Sequence, residues 1–415
     1  FNSTVMGPVV TTMGKLGFYT GANEFLFDGA NPVSCAALGI RNVFRRPDEY
    51  MSYDMNYLDT VGDVDIYQNE RALKLGFMVN EELKDWTSDA GNMFESINNF
   101  VEKSTGVAGT FSQIYPEITG SSNDITITHD NQYSEYFALS DITPGITSFS
   151  LSFDITEEQN DLYMIANCNG ITKLRTYVDG QEQNYERIQY QTYHIGHLSK
   201  GAHVEIEYCF SEGVPDNTSA RLTLATMNSA AFDAAYDRWS KVQLKTSVFE
   251  DGYVKGHIAP EEDGLMFTSI PYDSGWTAYV DGKEADIQTV AGAFIALDLK
   301  AGAHTIEFKY FPRGLHAGIL LTLAGWLVFA FLMNMKSIKD KKNSKKKSYR
   351  EEITVDGTAT ENVENPDNEE ACSESEDDDA KDSEDENSNI EDSDEYVFED
   401  DTTKLEAAMK LAEQL

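Results

Sequence analysis

Two long stretches of the chain alternate apolar and polar residues, as strands do when one face of a sheet is buried. The first stretch covers about residues 110–226 and contains TSFSLSFDI, KLRTYVDG and HVEIEYCF. The second covers residues 247–311 and contains GLMFTSIPY, WTAYVDG and HTIEFKYF. These short, regularly spaced segments predict two antiparallel β-sandwiches.

The two stretches carry the same short motifs in the same order, which predicts an internal duplication of one sandwich. The recurring motifs are LYM at 162–164 and LMF at 265–267, YVDG at 177–180 and 279–282, and GAH at 201–203 and 302–304. Asp-Gly between alternating strands favours a two-residue hairpin turn, because that turn needs positive φ, which Gly adopts freely and Asp tolerates. Asp179 and Asp281 are therefore predicted to form turns rather than to act in catalysis.

The first hundred residues mix helix and strand patterns. NPVSCAALGI predicts a short helix opened by Asn31 and Pro32, and DVDIYQNE and LKLGFMVN predict two short strands. GNMFESINNFVEKSTG has apolar residues at helical spacing and Gly106 to end the helix. A further amphipathic helix, SAAFDAAYDRWSKVQL, lies between the two β stretches.

Residues 315–335, LHAGILLTLAGWLVFAFLMNM, predict a membrane-spanning helix. The segment has no Asp, Glu, Lys or Arg, and about 20 residues at about 1.5 Å each span the hydrocarbon core. The lysine-rich KSIKDKKNSKKKSYR follows directly. By the positive-inside rule, the tail from Lys336 is predicted to be cytoplasmic and everything before Leu315 extracytoplasmic, with the lipid bilayer as a partner.

The net charge of −39 comes largely from an acid-rich segment at residues 351–401. Such a segment cannot bury enough apolar surface to fold, so it is predicted to be disordered. The rest of the chain is mildly acidic, which argues against a nucleic-acid partner. The final TTKLEAAMKLAEQL predicts a short amphipathic helix, which either docks on a cytoplasmic partner or is a frayed tail.

The predicted fold class is mixed, and 415 residues leave room for several domains. We expect a small α/β unit, two tandem antiparallel β-sandwich domains, one C-terminal transmembrane helix and a disordered acidic tail. The predicted segments are the α/β unit with its linking helix at 1–108, the first sandwich at 109–228, a helix plus the second sandwich at 229–312, the transmembrane helix at 313–335, a basic juxtamembrane segment at 336–350, the acidic tail at 351–401 and the terminal helix at 402–415.

The sequence contains none of the common catalytic or phosphate-binding motifs, and we predict no catalytic residue, metal ligand or cofactor in it. His194 and His197 lie three apart in a strand, where they would face opposite sides of the sheet and not share a metal. Asp63 and Asp65 form a DxD motif, but no nucleotide-binding fold surrounds it, so a structural role is expected.

The four cysteines show no spacing typical of metal ligands. Buried free thiols are the favoured interpretation. A bond between Cys168 and Cys209 across one sandwich is the open alternative.

The loop IPYDSGW at residues 270–276 is the candidate carbohydrate-binding site. Tyr272 and Trp276 could stack on a sugar ring while Asp273 hydrogen-bonds its hydroxyls, because aromatic faces suit amphipathic ligands. The alternative is a β-bend whose Trp276 closes the end of the sandwich. The first repeat lacks this Trp, so a binding role would belong to the second sandwich alone.

With these residues in view, the chain resembles the C-terminal part of the YfhO family of bacterial membrane proteins over about residues 1–335. The resemblance rests on LGIRNVF, DVDIYQNERALKLGFMV, GNMFESINNFVEKSTG, FDAAYDRWSKVQL, SIPYDSGWTAYVDGK and AGAHTIEFKYFPRGLHAGI. Leu75 stands where family members commonly have Pro, and the acidic tail has no family counterpart.

The resemblance implies a polytopic, C-type membrane glycosyltransferase-like protein that adds sugars to cell-envelope polymers such as lipoteichoic acid from a polyprenyl-phosphate sugar. Its catalytic carboxylate would lie upstream of Phe1, so no catalytic residue carries over. Earlier spanning helices would carry the extracytoplasmic region across the bilayer, for which a cleaved signal peptide is the other explanation.

This segment is then expected to position the acceptor or donor, with a polyprenyl-phosphate sugar and an envelope polysaccharide as partners. A different class of function stays open beside it. The alternative is a non-catalytic single-pass surface protein whose sandwiches bind carbohydrate or a protein.

Overall fold

The computed structural model describes residues 6–46, 55–87, 91–115, 117–121, 124–131, 134–140, 144–183, 191–215 and 218–353. The described chain forms two compact units, of which the first ends at Phe311 and the second begins at Pro312. The predicted acidic tail and terminal helix lie outside the described residues. The helices are α1 (Gly7–Lys15), α2 (Pro32–Ala37), α3 (Met93–Thr105), α4 (Ser229–Lys241) and α5 (Leu315–Ile353), with a 3₁₀ helix at Glu81–Asp85.

The first unit is mostly β-sheet, and every strand pairing in the described residues is antiparallel. The strands are β1 (Asn42–Arg45), β2 (Asn56–Val61), β3 (Val64–Gln68), β4 (Gly76–Val79), β5 (Phe111–Ile114), β6 (Ile118–Ser121), β7 (Asp124–Asn131), β8 (Ser134–Ser140), β9 (Ser148–Asp154), β10 (Gln159–Cys168), β11 (Lys173–Val178), β12 (Gln181–Gln183), β13 (Tyr193–Leu198), β14 (His203–Cys209), β15 (Ser219–Met227), β16 (Lys245–Glu250), β17 (Tyr253–Ile258), β18 (Gly264–Pro271), β19 (Trp276–Val280), β20 (Lys283–Ala285), β21 (Gln288–Val290), β22 (Phe294–Leu299) and β23 (His304–Tyr310). Strands β1 to β3 form a small sheet of their own in the order β1–β3–β2.

The first repeat consists of two facing sheets. One has the strand order β12–β11–β14–β9–β6, and the other has β13–β10–β15–β8–β7 with β5 also paired to β15. Alternate residues point inward, as the sequence pattern predicts: Phe149, Leu151 and Phe153 of β9 are buried in the same cluster as Leu162 and Met164 of β10. The predicted sandwich of β-sheets is confirmed here.

The second repeat uses the same strand order in one of its two sheets. Its first sheet, β20–β19–β23–β17–β16, matches β12–β11–β14–β9–β6 strand for strand, and its second sheet is β21–β22–β18–β4. The ladders place Val178 opposite Val204 and Val280 opposite Ile306. By strand register, His203 of the first repeat therefore corresponds to Thr305 of the second. The motif would pair His203 with His304, so GAH is displaced by one residue between the repeats.

Strand β4 completes the second sandwich although it precedes the first repeat in the chain. It pairs with β18, whereas the matching place beside β10 is taken by β15, the last strand of the first repeat. The second repeat ends with β23 at Tyr310, and α5 begins at Leu315, which leaves no room for a closing strand. The N-terminal part supplies that strand instead.

A shared core joins the N-terminal part, both repeats and α4. The Phe77 ring of β4 lies 5.5 Å from Phe267 of β18 and 6.0 Å from Trp239 of α4, measured between centroids. Phe100 of α3 contacts both of these partners, and Tyr163 of β10 belongs to the same buried cluster. Strands β10 and β18 are thus buried on both faces. One face of each strand packs inside its own sandwich, and the other face packs in this shared core.

Local signals account for the helices and for the hairpins. Asn92 and Glu95 cap α3 reciprocally, each side chain accepting the other's backbone N–H at 3.1 and 3.2 Å, and Gly106 ends it in the left-handed region at φ 76°. Asp179 and Asp281 occupy turns at φ 48° and 53°, as predicted.

The Asp281 carboxylate also ties its hairpin to the neighbouring strand β23. Its Oδ1 accepts the N–H of Thr305 and its Oδ2 bonds Nδ1 of His304, both at 2.8 Å. In the first repeat, Asp179 Oδ1 accepts the N–H of His203 at 2.8 Å. The recurring Asp-Gly is therefore explained by turn geometry and by this anchoring bond.

Cys168 and Cys209 lie on β10 and β14, in opposite sheets, and no disulfide joins them. Cys35 is free and buried. Burial raises the pKa of the Cys168 thiol to about 11. The predicted buried thiols outside a disulfide are confirmed for Cys35 and Cys168, whereas Cys209 is half-buried and Cys372 lies outside the described residues.

The second unit consists of α5. Its first 31 residues, Leu315–Lys345, are long and apolar enough to cross a bilayer, and α5 is the one such helix in the described residues. Leu321 and Leu327 are 74% and 72% exposed, as side chains that face lipid would be. The predicted apolar helix is confirmed.

We predict that Phe77→Ala destabilises the chain by about 3–5 kcal/mol, because the ring is fully buried against the rings of Phe267 and Trp239. Glu284→Ala, at an exposed position on β20, is the control and should change stability by at most about 0.5 kcal/mol. Guanidinium unfolding of the full chain in detergent, followed by near-ultraviolet circular dichroism, measures both. Equal losses for the two variants would contradict the position of β4.

The Asp281–His304 pair predicts a pH-dependent stability. The bond to Asp281 raises the pKa of His304, and the Thr305 N–H and His304 lower the pKa of Asp281. The His304 contribution is full below its unfolded pKa of about 6.5 and is lost as pH rises through its raised folded pKa. The Asp281 contribution is full above its unfolded pKa of about 3.9 and is lost as pH falls through its lowered folded pKa.

His304→Ala should therefore lower the Tm more at pH 5.5 than at pH 8.5. In an Asp281→Asn background the effect of the same substitution should lose its pH dependence. Differential scanning calorimetry of the four proteins at both pH values checks this. A Tm difference that is the same at both pH values would rule out the charged pair.

Candidate functional site

The predicted site residues Tyr272, Asp273 and Trp276 lie together in the turn between β18 and β19. Asp273 Oδ1 accepts the N–H of Gly275 at 2.7 Å, which closes the turn on itself. The structure therefore brings the three side chains to one end of the second sandwich.

The rings of this turn are partly used by the sandwich itself. Tyr272 and Trp276 are half-buried against the inner core of the second repeat. The Trp276 ring centroid lies 5.1 Å from that of Tyr310 and 6.5 Å from that of Phe308. Desolvation, together with the charge and hydrogen bond of Asp273, raises the pKa of Tyr310. Trp276 thus closes the end of the sandwich, and carbohydrate binding by this turn stays a prediction.

The residue pairs that sequence reasoning set aside have separate structural partners. Asp65 Oδ1 accepts the hydroxyl of Thr60 at 2.6 Å within the β2–β3 hairpin. His194 contacts Asp161, whereas His197 contacts a different carboxylate. Among the described residues, no group of three His, Cys, Asp or Glu side chains is placed to hold a metal ion.

A cavity of about 370 Å³ lies where the N-terminal part, the first sandwich and α4 meet. Pockets at such junctions with a few convergent polar groups are the usual form of small-molecule sites, and volumes of roughly 300–1,000 Å³ are typical. We call this pocket the Arg71 cavity. Its charged and aromatic lining residues are Glu70, Arg71, Asp161, Tyr163, His194, Phe232 and Asp233.

The turn between β3 and β4 positions Arg71. Asn69 is buried, donates its side-chain N–H to the carbonyl of Ile40 at 3.0 Å and accepts the N–H of Arg71 at 3.0 Å. Arg71 then forms an ion pair with Asp233 of α4, and its guanidinium carbon lies 5.1 Å from the centroid of the Phe232 ring. The fixed turn therefore holds Arg71 against α4 at the cavity wall.

The first sandwich contributes Asp161 and His194 from the neighbouring strands β10 and β13. His194 Nε2 lies 3.2 Å from Asp161 Oδ1, and the imidazole stacks at 4.7 Å on the ring of Tyr163. The His194 side chain is 10% exposed and that of Asp161 33%. The carboxylate and the aromatic ring fix the imidazole, and the Asp161 carboxylate stays accessible from the cavity.

The charges and surfaces of the lining limit what it can bind. Glu70, Asp161 and Asp233 outnumber the one guanidinium, Arg71, which already pairs with Asp233. An excess of carboxylates disfavours an anionic ligand. Acceptor oxygens beside aromatic side chains suit a neutral ligand with many hydroxyl donors and one apolar face, which is the chemistry of a sugar ring.

Sequence reasoning missed the Arg71 cavity because its partners are distant in the chain. Arg71 and Asp233 are 162 residues apart, and Asp161 and His194 are 33 apart. None of them belongs to a catalytic motif. The one available signal was the polar QNER between two predicted strands.

Comparison with known proteins gives a family match over most of the chain. The model of a family described as "Bacterial membrane protein YfhO" matches residues 1–322. A Bacillus subtilis (strain 168) protein named "Uncharacterized protein YfhO" is 26% identical over 112 residues, which are 27% of this chain and 12% of that protein. The aligned part thus covers only a small fraction of that relative's length.

Solved structures share only weak similarity with the chain. The conserved protein PA5104 from Pseudomonas aeruginosa PAO1 is 13% identical, with 46% of this chain and 92% of that chain covered and a TM-score of 0.15. The tandem CBM51 modules of Sp3GH98 from Streptococcus pneumoniae SP3-BS71 are 10% identical, with 48% and 94% covered and a TM-score of 0.20. Scores this low do not establish a common fold.

If the turn of Tyr272, Asp273 and Trp276 is a sugar platform, Trp276→Ala should weaken binding of envelope polysaccharide, and Trp276→Phe, which keeps an aromatic face, should retain most of it. Isothermal titration of the folded variants measures this, and their circular dichroism spectra control for the packing of Trp276 on Tyr310. Equal glycan affinity of the wild type and Trp276→Ala would show that the ring serves packing alone.

Proposed function

Because the chain belongs to the YfhO family of bacterial membrane proteins, we propose that it is the extracytoplasmic C-terminal part of a polytopic glycosyltransferase-like protein of the cell envelope. In this proposal the whole protein transfers sugars from a polyprenyl-phosphate donor to polymers of the lipoteichoic acid type. The present chain forms and breaks no bond. It positions a sugar of the acceptor or the donor.

The membrane association of the chain follows from the family and from α5, the one apolar helix of spanning length in the described residues. Its orientation is part of the proposal. The lysine-rich stretch after residue 335 supports a cytoplasmic tail, which leaves the sandwiches on the outer side. A lipid-linked sugar presents its head group on that side, where the sandwiches could hold it.

The observation that carries the positioning role is the Arg71 cavity. Asp161 and Asp233 offer acceptor oxygens, and Tyr163 and Phe232 offer apolar surface beside them. These side chains come from β10 and α4, and Arg71 and His194 hold the two carboxylates in place before any ligand arrives. A pocket that is ordered in advance loses little entropy when it binds a flexible polymer.

The excess of carboxylates also favours one part of such a polymer over another. A phosphate of the polymer backbone would be repelled, whereas a neutral sugar substituent would find hydrogen-bond acceptors. The proposal therefore assigns the Arg71 cavity to a neutral sugar and not to a phosphate.

We predict that neutral mono- and disaccharides bind the full chain in nanodiscs and that Asp161→Asn weakens this binding about tenfold or more, because a hydrogen bond to a charged group is worth about 1.5–3 kcal/mol. Asp237→Asn is the matched control, since Asp237 is exposed on α4 and lies outside the cavity lining. Saturation-transfer NMR and calorimetry, with glycerol phosphate as the anionic comparison, give the affinities. Preference for the anion, or equal weakening by both variants, would contradict the proposal.

The competing proposal is a non-catalytic single-pass surface protein that uses the same cavity to bind carbohydrate. Two observations separate them. Several membrane-length apolar segments encoded upstream of Phe1 favour the transferase, and a lone cleavable signal favours the surface protein. Sugar transfer by this chain alone, assayed with a polyprenyl-phosphate sugar, would contradict both.

A further inference from the structure

The second sandwich carries exposed aromatic side chains at the end from which the chain enters α5. Phe249 of β16 is 73% exposed, Phe311 is 43% exposed and Tyr310 of β23 is 36% exposed. The other exposed large apolar side chains before Leu315, among the described residues, lie on separate elements. They are Met6, Phe25, Tyr57 and Tyr115.

Hydrogen bonds show that the three aromatic residues share one end of the sheet. The Tyr310 N–H donates to the carbonyl of Gly252, in the turn that joins β16 to β17, at 2.8 Å. The Phe311 N–H donates to the carbonyl of Gly275, in the turn before β19, at 2.9 Å. Strands β16 and β23 flank β17 and are therefore about 10 Å apart, and Phe249 lies in register with Phe308, two residues before Tyr310.

Chain length limits how far this end can lie from the bilayer. Three residues, 312–314, separate Phe311 from the first residue of α5. Consecutive Cα atoms are about 3.8 Å apart, so the Cα atoms of Phe311 and Leu315 are at most about 15 Å apart. The Leu315 N–H donates to the Pro312 carbonyl at 3.2 Å, which shortens the link further. The polar interface itself adds roughly 5–7 Å to each side of the hydrocarbon core.

We propose that Phe249, Tyr310 and Phe311 form a membrane-seating surface that inserts into the lipid headgroup region. Aromatic side chains concentrate at this depth of a bilayer. Arg313 follows directly in the chain and supplies a cation for lipid phosphates. Three separate points of contact would restrain the tilt of the second sandwich on the bilayer, which a single covalent link cannot do.

Lipid is the occupant that the observations favour. The exposed aromatics lie at the end of the sandwich that the chain must hold near the membrane, because only residues 312–314 separate Phe311 from the apolar helix. This proposal needs only the span and is independent of sugar binding. It predicts that the second sandwich touches the bilayer even if the Arg71 cavity binds no sugar.

Site-directed spin labelling of the full chain in phosphatidylglycerol–phosphatidylcholine liposomes tests the proposal. Cys209→Ser removes the half-buried thiol of the described residues, and Cys372→Ser removes the thiol that lies outside them. Single labels are placed through Phe249→Cys, Phe311→Cys and, as a control on the exposed β2 strand, Tyr57→Cys. The collision rates of each nitroxide with oxygen and with a water-soluble nickel complex report its depth. Far-ultraviolet circular dichroism confirms that each labelled protein is folded.

Labels at 249 and 311 should both show a severalfold higher oxygen-to-nickel ratio than the label at 57. A label at 249 that is as accessible to nickel as the label at 57 overturns the proposal, even when the label at 311 is interfacial, because proximity to α5 alone explains the latter. That outcome would indicate that the exposed Phe249 ring contacts a protein partner and not lipid.

Discussion

Strand β4 lies between β18 and the segment after α4, and it satisfies the backbone of both. It forms a ladder with β18, the Met78 N–H donates to the Val242 carbonyl at 3.0 Å, and the Leu244 N–H donates to the Gly76 carbonyl at 2.8 Å. An uncovered β18 would present unpaired N–H and C=O groups along a hydrophobic edge. The fold of the second sandwich therefore depends on residues that precede the first by some distance in the chain.

The same pairing builds the candidate site. With Phe77 buried against Trp239, α4 is fixed on β4, and Asp233 of that helix meets Arg71 at the start of the β4 segment. The N-terminal part is also hydrogen-bonded to the first sandwich. Thr192 donates its N–H to the carbonyl of Gly17 at 3.0 Å and its hydroxyl to the carbonyl of Gly29 at 2.6 Å. The Arg71 cavity forms where these two attachments bring the parts of the chain together.

Local sequence patterns were sufficient to predict most helices and strands. They were not sufficient to predict which distant strands pair. Alternation identified the strands, and helical spacing with Gly106 identified α3, because these signals act within a few residues. The β4–β18 pair joins segments almost two hundred residues apart, and its trace in the sequence is only the continuous apolar GLMF, which is buried on both faces. In the candidate turn, the sequence placed Trp276 on a loop, while its packing on Tyr310 depends on the register of β19 and β23.

Amide hydrogen exchange measured by NMR or mass spectrometry tests this account most directly. If β4 is held between β18 and the segment after α4, the amides of residues 77–79 should exchange as slowly as those of residues 265–268 and should become exposed in the same cooperative step as denaturant is added. Fast exchange of residues 77–79 beside a protected β18 would contradict the account, since the second sandwich would then stand without the strand that links it to the cavity.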